Sequence, residues 1–220
     1  MRKPQFAVIG LGRFGSSVAR ALAREGYEVL AIDANAQRVQ ELSETVTHAV
    51  AADATDEEAL RSLGLRNFDV VVVAIGQDIQ ASILASLILK DMGVPKLVAK
   101  AQSELHGKVL HKIGVDQVIY PERDMGQRLA HQLISPNVID YLELSPEHSV
   151  VEMRASGRMA GRMLRELDIR ARFGCNVMAI RSGNAMNVTP RADDRIAEGD
   201  VLVVVGRNED LQEMERFFSE

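Results

Sequence analysis

Residues 5–15 of the chain read Gln-Phe-Ala-Val-Ile-Gly-Leu-Gly-Arg-Phe-Gly. A short apolar run that ends in glycine is typical of a buried parallel strand, and residues 16–25 carry apolar side chains at helical spacing. Gly10, Gly12 and Gly15 form a G-x-G-x-x-G pattern, which allows a tight turn, close approach of backbone to phosphate, and close helix–strand packing. The helix N-terminus adds free N–H groups and a partial positive charge. This stretch therefore predicts a phosphate-binding strand–turn–helix.

The next predicted strand supplies an acidic residue at the expected distance. Residues 29–32 form a second buried strand that ends in Asp33, 23 positions after Gly10. In dinucleotide-binding folds an acidic residue at about this distance binds the ribose hydroxyls, and its charge repels a 2′-phosphate. We therefore expect an adenosine-containing ligand and disfavour NADP. The competing interpretation is a glycine turn whose binding site is vestigial.

Strand-like and helix-like segments alternate through the first part of the chain. Residues 70–74 are the clearest buried strand, residues 55–58 fit a capping box that begins a helix, and residues 79–91 and 104–113 are predicted helices. Regular alternation predicts an α/β fold with a Rossmann-like, doubly wound parallel sheet. We expect six strands before residue 120.

The pattern changes after Ser135-Pro136-Asn137. Half-exposed strands, a short helix at residues 163–167 and a hairpin turn follow, and residues 209–218 form a terminal amphipathic helix. We therefore predict a nucleotide-binding Rossmann domain over residues 1–135 and a second, smaller α+β domain over residues 136–220.

Composition excludes several classes of protein. The 220 residues carry a net charge of −5 with no basic block, which argues against nucleic-acid binding. The one cysteine, Cys175, permits no internal disulfide and favours a reducing compartment. We found no signal-peptide pattern and no apolar run near the ~18 residues that cross a bilayer. We expect a cytoplasmic protein without direct membrane insertion.

Catalytic signatures are missing from the sequence. The five histidines lack metal-ligand spacing and are expected at the surface, and Cys175 has no nucleophile context and is expected to be buried. We therefore predict that the chain is not an enzyme. A small NAD-dependent oxidoreductase is the main alternative, although it would need an acid–base group. A redox-sensing transcription factor would need a basic helix-turn-helix.

Other strand ends supply candidate ligand contacts. Arg13 in the glycine turn is expected either to pair with a further phosphate or a neighbouring subunit, or to be solvated. Asp53 either contacts the adenosine or only shapes the turn before Thr55. Small residues at 74–76 either let the backbone lie against adenosine or simply end a strand.

Several motifs together resemble the RCK family, whose two parts are the TrkA-N and TrkA-C domains. The glycine turn, Ala52–Thr55, Val71–Gly76 and Pro121-Glu122 resemble TrkA-N, while Leu167–Ala171 and Ala197–Leu202 resemble TrkA-C. The resemblance covers nearly the whole chain, in the right order, and is greatest to the KtrA-type cytosolic subunits.

The resemblance implies a gating subunit for potassium transport. RCK proteins form homo-oligomers, from dimers to octameric rings, beneath a membrane-embedded potassium-translocating subunit of the KtrB/TrkH type. The chain would be peripheral to the inner face of the plasma membrane through this partner. Binding of ATP or ADP, with NAD(H) as a further candidate, would bias ring shape and hence potassium flux.

The resemblance also implies roles for particular residues. Arg13 would reach the terminal phosphate of ATP across a dimer interface, and Glu122 would bind Mg²⁺ or another divalent cation unless it is only a helix-start carboxylate. The implied nucleotide contacts are Gly10, Gly12, Arg13, Phe14, Gly15, Asp33, Asp53, Ala54, Thr55, Ala74, Ile75 and Gly76. Cyclic di-AMP would bind in the second domain at Leu164, Arg170, Ala171, Asn176, Val177 and Pro190. Arg170 would pair with phosphate there, while Leu164 and Val177 would also suit the core.

Overall fold

The computed structural model describes residues 2–135 and 137–219. The chain divides between Glu122 and Arg123 into two compact units. The predicted boundary at residues 135/136 involves Pro136, which lies outside the described residues, and it stays a prediction. Each unit is considered by itself.

The first unit is built on a parallel sheet. Among the described residues its strands are β1 (Gln5–Ile9), β2 (Glu28–Asp33), β3 (His48–Ala51), β4 (Val70–Val73), β5 (Leu97–Lys100) and β6 (Gln117–Ile119). They pair in the order β3-β2-β1-β4-β5-β6, and every pairing is parallel. This is the doubly wound order, in which the direction of winding reverses between β1 and β4 and leaves a crevice at their carboxyl ends. The predicted fold class is confirmed.

Helices cover both faces of this sheet. They are α1 (Arg13–Arg24), α2 (Ala36–Leu42), α3 (Glu57–Ser62), α4 (Ile79–Asp91) and α5 (Glu104–Ile113), with a 3₁₀ turn at Leu65–Asn67. Alternate residues of β1 enter different cores, since Ala7 and Ile9 belong to one buried cluster and Val8 to another. A strand buried on both faces reads as a continuous apolar run, which is why the sequence predicted these strands well.

Two helix starts differ from the sequence-based prediction. Helix α1 begins at Arg13 rather than Ser16. Helix α3 is capped by Asp56, whose carboxylate accepts hydrogen bonds from the N–H groups of Glu58 and Ala59. The hydroxyl of Thr55, the predicted cap, is instead hydrogen-bonded to Asp53. The capping-box prediction was therefore one residue early.

The second unit contains an antiparallel sheet. Its strands are β7 (Val138–Ser145), β8 (His148–Arg154), β9 (Asn176–Ser182), β10 (Ala185–Asn187) and β11 (Val201–Arg207), in the order β10-β9-β11-β8-β7. Its described helices are α6 (Pro121–Ile134), which begins just before the division, α7 (Leu164–Leu167), α8 (Ile169–Phe173) and α9 (Asn208–Ser219). Leu211, Met214 and Phe218 of α9 are buried in the core of this unit. The second unit is thus the smaller α+β part that the sequence predicted.

No helix among residues 2–135 and 137–219 is both long enough and apolar enough to cross a bilayer.

Candidate nucleotide-binding site

The glycine turn lies in the crevice between β1 and β4. Gly10 has a φ of +93°, and a Cβ there would lie 2.8 Å from the backbone nitrogen of Ile75. A Cβ on Gly15 would overlap the carbonyl oxygen of Gly10. Because both positions exclude a side chain, the turn packs tightly against the end of β4 and the start of α1. The predicted packing roles of these two glycines are consistent with this geometry.

Gly12 differs from the other two glycines because no atom lies within 4 Å of a Cβ placed there. Gly12 is the N-cap of α1 and supplies no side-chain cap, and the first turn of α1 has no acidic residue. The Ser16 hydroxyl donates to the carbonyl groups of Leu11 and Gly12 at 2.8 Å. The Ser16 hydroxyl therefore fixes the backbone of the turn. The space beside Gly12 and the N-terminus of α1 are suited to an anion.

Asp33 is tied to the glycine turn. Its side chain is 8% exposed. One carboxylate oxygen accepts from the N–H of Leu11 at 2.6 Å, and the other accepts from the N–H of Asn35 at 2.8 Å. Oδ1 keeps a second lone pair, so the carboxylate remains able to accept from a ribose hydroxyl, whereas Oδ2 accepts a second hydrogen bond from a neighbouring guanidinium. The guanidinium of Arg38, which the sequence did not single out, lies 3.4 Å from Asp33.

Asp53 shapes its own turn. Its Oδ1 accepts from both the N–H and the hydroxyl of Thr55, each at 2.8 Å. These hydrogen bonds, the backbone one first, lower the pKa of Asp53. Of the two interpretations offered by the sequence, the turn-shaping role is observed. An adenosine contact by Asp53, Ala54 or Thr55 stays a prediction.

The end of β4 approaches a buried lysine. The N–H of Ala74 donates to Ile9 at 2.7 Å, which holds residues 74–76 beside the glycine turn. A Cβ on Gly76 would lie 3.4 Å from the ammonium of Lys100. Lys100 ends β5 and is 8% exposed. Lys100 is not among the predicted site residues, although its place at the carboxyl end of a strand was the signal that could have identified it.

Glu122, the predicted metal ligand, forms an ion pair with Lys100. The hydrogen bond from Lys100 lowers the pKa of Glu122, and the charge of exposed Arg13 acts in the same direction. No group of three or more His, Cys, Asp or Glu side chains that could hold a metal ion is found within residues 2–135 and 137–219. A divalent cation at Glu122 therefore stays a prediction. Its remaining ligands would have to come from outside the described His, Cys, Asp and Glu side chains.

One histidine departs from the expected surface position. His106 is 3% exposed, its Nδ1 accepts from the N–H of Gln102 at 3.3 Å, and burial lowers its pKa. In the first turn of α5, His106 and Gly107 lie on the buried side of the helix, while Glu104 and Leu105 are exposed. The prediction of a surface residue is wrong for His106, whereas the other four histidines, His48, His111, His131 and His148, are exposed.

A second cleft lies in the second unit. It has a volume of about 230 Å³ and is lined by Leu164, Arg165, Asp168, Ile169, Arg170, Cys175, Val177 and Ala192. Leu164, Arg170 and Val177, three of the predicted cyclic di-AMP contacts, line it. Ala171, Asn176 and Pro190 lie outside this lining. Leu164 and Val177 also pack against the core, as their apolar character suggested.

Cys175 is among the residues that line this second cleft, and its side chain is buried. Burial raises the pKa of its thiol to about 11. The thiol is therefore protonated at neutral pH and unsuited to act as a nucleophile. This agrees with the expectation that Cys175 is a core residue.

The order of the parallel sheet and the glycine turn at its switch point define a Rossmann-type domain, followed here by a small antiparallel α+β domain. The TrkA-N domain matches residues 6–121, and the TrkA-C domain matches residues 149–219. The chain therefore belongs to the TrkA-N/TrkA-C family, which confirms the resemblance read from the sequence.

Two relatives illustrate this membership, and two solved structures share the fold. Ktr system potassium uptake protein C of Bacillus subtilis (strain 168) is 52% identical over 214 residues, which cover 97% of each chain. Ktr system potassium uptake protein A of the same organism is 45% identical, over 98% of this chain and 97% of its own. The GsuK channel structure has a TM-score of 0.73 at 18% identity, covering 100% of this chain and 40% of that one. The GsuK channel bound to NAD has a TM-score of 0.53 at 23% identity, covering 100% and 39%. The GsuK comparisons show a shared fold.

Proposed function

We propose that the chain is a cytosolic regulatory subunit of a potassium transporter. The observation that carries this proposal is the similarity, over 97% of both chains and at 52% identity, to a protein named for potassium uptake. The partner would be a membrane-embedded, potassium-translocating subunit of the KtrB/TrkH type. The chain would then work in the cytoplasm, held at the inner face of the plasma membrane by that partner.

The first unit would bind ATP or ADP in the crevice between β1 and β4. Gly12 leaves space above the uncapped start of α1 for the phosphates. Asp33, fixed beside the turn by the Leu11 N–H, would accept from the ribose hydroxyls. The same geometry suits NAD(H), whereas the buried negative charge of Asp33 disfavours the 2′-phosphate of NADP.

Regulation requires that the nucleotide bind two conformations of the assembly with different affinities. Arg13 is exposed on the first turn of α1, at the mouth of the site. In a homo-oligomer, from a dimer to an octameric ring, it would reach the terminal phosphate of a nucleotide in the adjacent subunit. ATP would gain this contact and ADP would not. Mg²⁺ or another divalent cation at Glu122 would add to the distinction.

The cleft of the second unit is a candidate site for cyclic di-AMP. Arg170 lines it and carries the positive charge that a phosphate requires, while Leu164 and Val177 offer apolar walls. The volume of about 230 Å³ is small for a dinucleotide. The ligand would therefore be shared with a second copy of the chain at this face.

The functional test is potassium uptake. A Ktr-type membrane subunit would be produced with or without this chain in cells that lack their own potassium uptake systems. We expect the chain to increase uptake and the Gly12→Ala variant to reduce that increase, because Gly12 leaves the space that the phosphates need. Uptake that is the same with and without the chain would contradict the proposal.

Calorimetric titration of the purified chain with ATP, ADP, NADH and cyclic di-AMP, with and without Mg²⁺, tests the ligands. We expect ATP and ADP to bind without hydrolysis or redox turnover. Arg13→Ala should lower the affinity for ATP several-fold and leave the affinity for ADP unchanged. Arg24→Ala, at the other end of α1, is the matched control. Oxidation of NADH by a small substrate would instead support the oxidoreductase.

A further inference from the structure

Lys100 is a buried cation whose ion-pair partner lies at the surface. Lys100 is 8% exposed, whereas the side chain of Glu122 is 71% exposed. A buried ammonium needs a compensating charge because its transfer out of water is costly. An exposed carboxylate, by contrast, loses little when it leaves a surface ion pair. The pair is therefore asymmetric, since Glu122 is easily replaced and Lys100 is not easily moved.

The ammonium of Lys100 lies among residues of the glycine turn. It is 5.8 Å from the ring centroid of Phe14, which belongs to the first turn of α1. It is also 3.4 Å from where a Cβ of Gly76 would lie, at the end of β4. Both neighbours belong to the edge of the sheet where the phosphates of a nucleotide would enter. The absence of a side chain at Gly76 leaves the approach to the ammonium open.

We infer that Lys100 exchanges partners when a nucleotide binds. The phosphate chain takes over the Lys100 ammonium, and Glu122 is released. Phosphate oxygens carry more charge than one carboxylate and form strong charge-assisted hydrogen bonds. This inference rests on the proposed nucleotide site, and it adds a residue to that site together with an order of events. Glu122 becomes available to a cation only after the phosphates have bound.

Release of Glu122 has an electrostatic consequence. A free carboxylate close to nucleotide phosphates is repelled by them unless a cation lies between. The exchange therefore links phosphate binding to cation binding through one side chain. Without divalent cations, Glu122 opposes the nucleotide by competing for Lys100.

The test is nucleotide affinity in EDTA, measured by calorimetry with ATP as the probe. Glu122→Gln removes the competing charge and is expected to tighten ATP roughly 2- to 5-fold, the range of an exposed ion pair. Lys100→Met is expected to weaken ATP about tenfold. In the Lys100→Met background Glu122 has no ammonium left to compete for, so Glu122→Gln should tighten ATP binding less than it does in the parent, by the relief of repulsion alone. Glu104→Gln, an exposed carboxylate on the first turn of α5, is the control and should bind like the parent.

Glu122→Asp distinguishes competition with the phosphates for Lys100 from simple charge repulsion between the carboxylate and the phosphates. It keeps the charge but shortens the side chain that reaches Lys100, so competition predicts tighter ATP binding and repulsion predicts no change. This variant also decides the matter if Lys100→Met does not fold. Unchanged or weaker ATP binding by both Glu122 variants would overturn the exchange while leaving the nucleotide site intact. Failure of the parent chain to bind ATP, ADP or NADH would instead refute the proposed function.

Discussion

Gly12 and Gly15 belong to the same turn, but an added methyl group would act differently at the two positions. At Gly15 the new Cβ would overlap the carbonyl oxygen of Gly10, which is backbone and cannot rotate away. At Gly12 the same atom meets nothing within 4 Å, and the φ of −68° suits any residue. Gly15 therefore serves the fold, and Gly12 leaves space for a ligand.

Substitution with alanine tests this division. Gly15→Ala should lower the free energy of unfolding by about 1–3 kcal/mol, the usual cost of overpacking. Gly12→Ala should change it by less than ~0.5 kcal/mol yet weaken ATP at least roughly tenfold, because the methyl group occupies the phosphate position. Chemical denaturation and calorimetry measure the two effects. Normal ATP affinity in Gly12→Ala would show that the phosphates do not bind beside Gly12.

At this scale the sequence predicted residues whose role depends on local spacing. Gly10 and Asp33 follow from a strand, a turn and a fixed distance, and Asp33 indeed bonds to Leu11 in the turn. Lys100 was not predicted because its partner is set by how separate elements pack. Lys100 meets Glu122, which is 22 positions away. No periodicity or motif records such a pairing.

Asp116 shows how one carboxylate joins separate elements. It precedes β6, and its Oδ2 accepts from the N–H of Leu97 at 2.7 Å, where β5 begins. The same oxygen lies 3.2 Å from the ammonium of Lys90 in α4. The hydrogen bond from Leu97, followed by the contribution of Lys90, lowers the pKa of Asp116. The carboxylate thus holds the second half of the sheet to its covering helix.

Removal of this charge should make stability less dependent on pH. Because the pKa of Asp116 is lower in the folded state, its contribution is present above the unfolded pKa and is lost as pH falls through the folded one. Asp116→Asn should therefore cost about 1 kcal/mol at pH 7, discounted for partial exposure. The cost should vanish in strong acid. Denaturant unfolding across pH measures it, with exposed Glu44→Gln as the control. A cost independent of pH would contradict the electrostatic account.

Element boundaries were predicted well where apolar periodicity sets them and poorly where a single backbone conformation does. Helices α4 and α5 begin and end at the predicted residues. In the second unit, Asp168 has a φ of +46° and separates α7 from α8. Helix α8 was not predicted from the sequence. A non-glycine residue in the left-handed region is uncommon, so side-chain patterns gave no warning of it.

For the whole molecule, the decisive feature is that each unit has its own core. Buried clusters on the two faces of the parallel sheet stabilise the first unit, and a separate cluster stabilises the second. The sequence predicted this because its strand pattern changes from continuous apolar runs to half-exposed alternation. A ligand that binds one unit should therefore stabilise that unit first, by RT ln(1 + [L]/Kd), or about 2.7 kcal/mol at 100 Kd.

Hydrogen exchange followed by mass spectrometry would separate the two units. ATP should slow exchange in peptides from β1, α1 and β4, while cyclic di-AMP should slow it in α7, α8 and β9, which line the second cleft. Gly12→Ala is the matched control, because it should lose the ATP response and keep the response to cyclic di-AMP. Protection of both units to the same degree by either ligand would mean that the chain opens as a single cooperative body. In that case regulation would have to be sought in the assembly of subunits rather than between the two units of one chain.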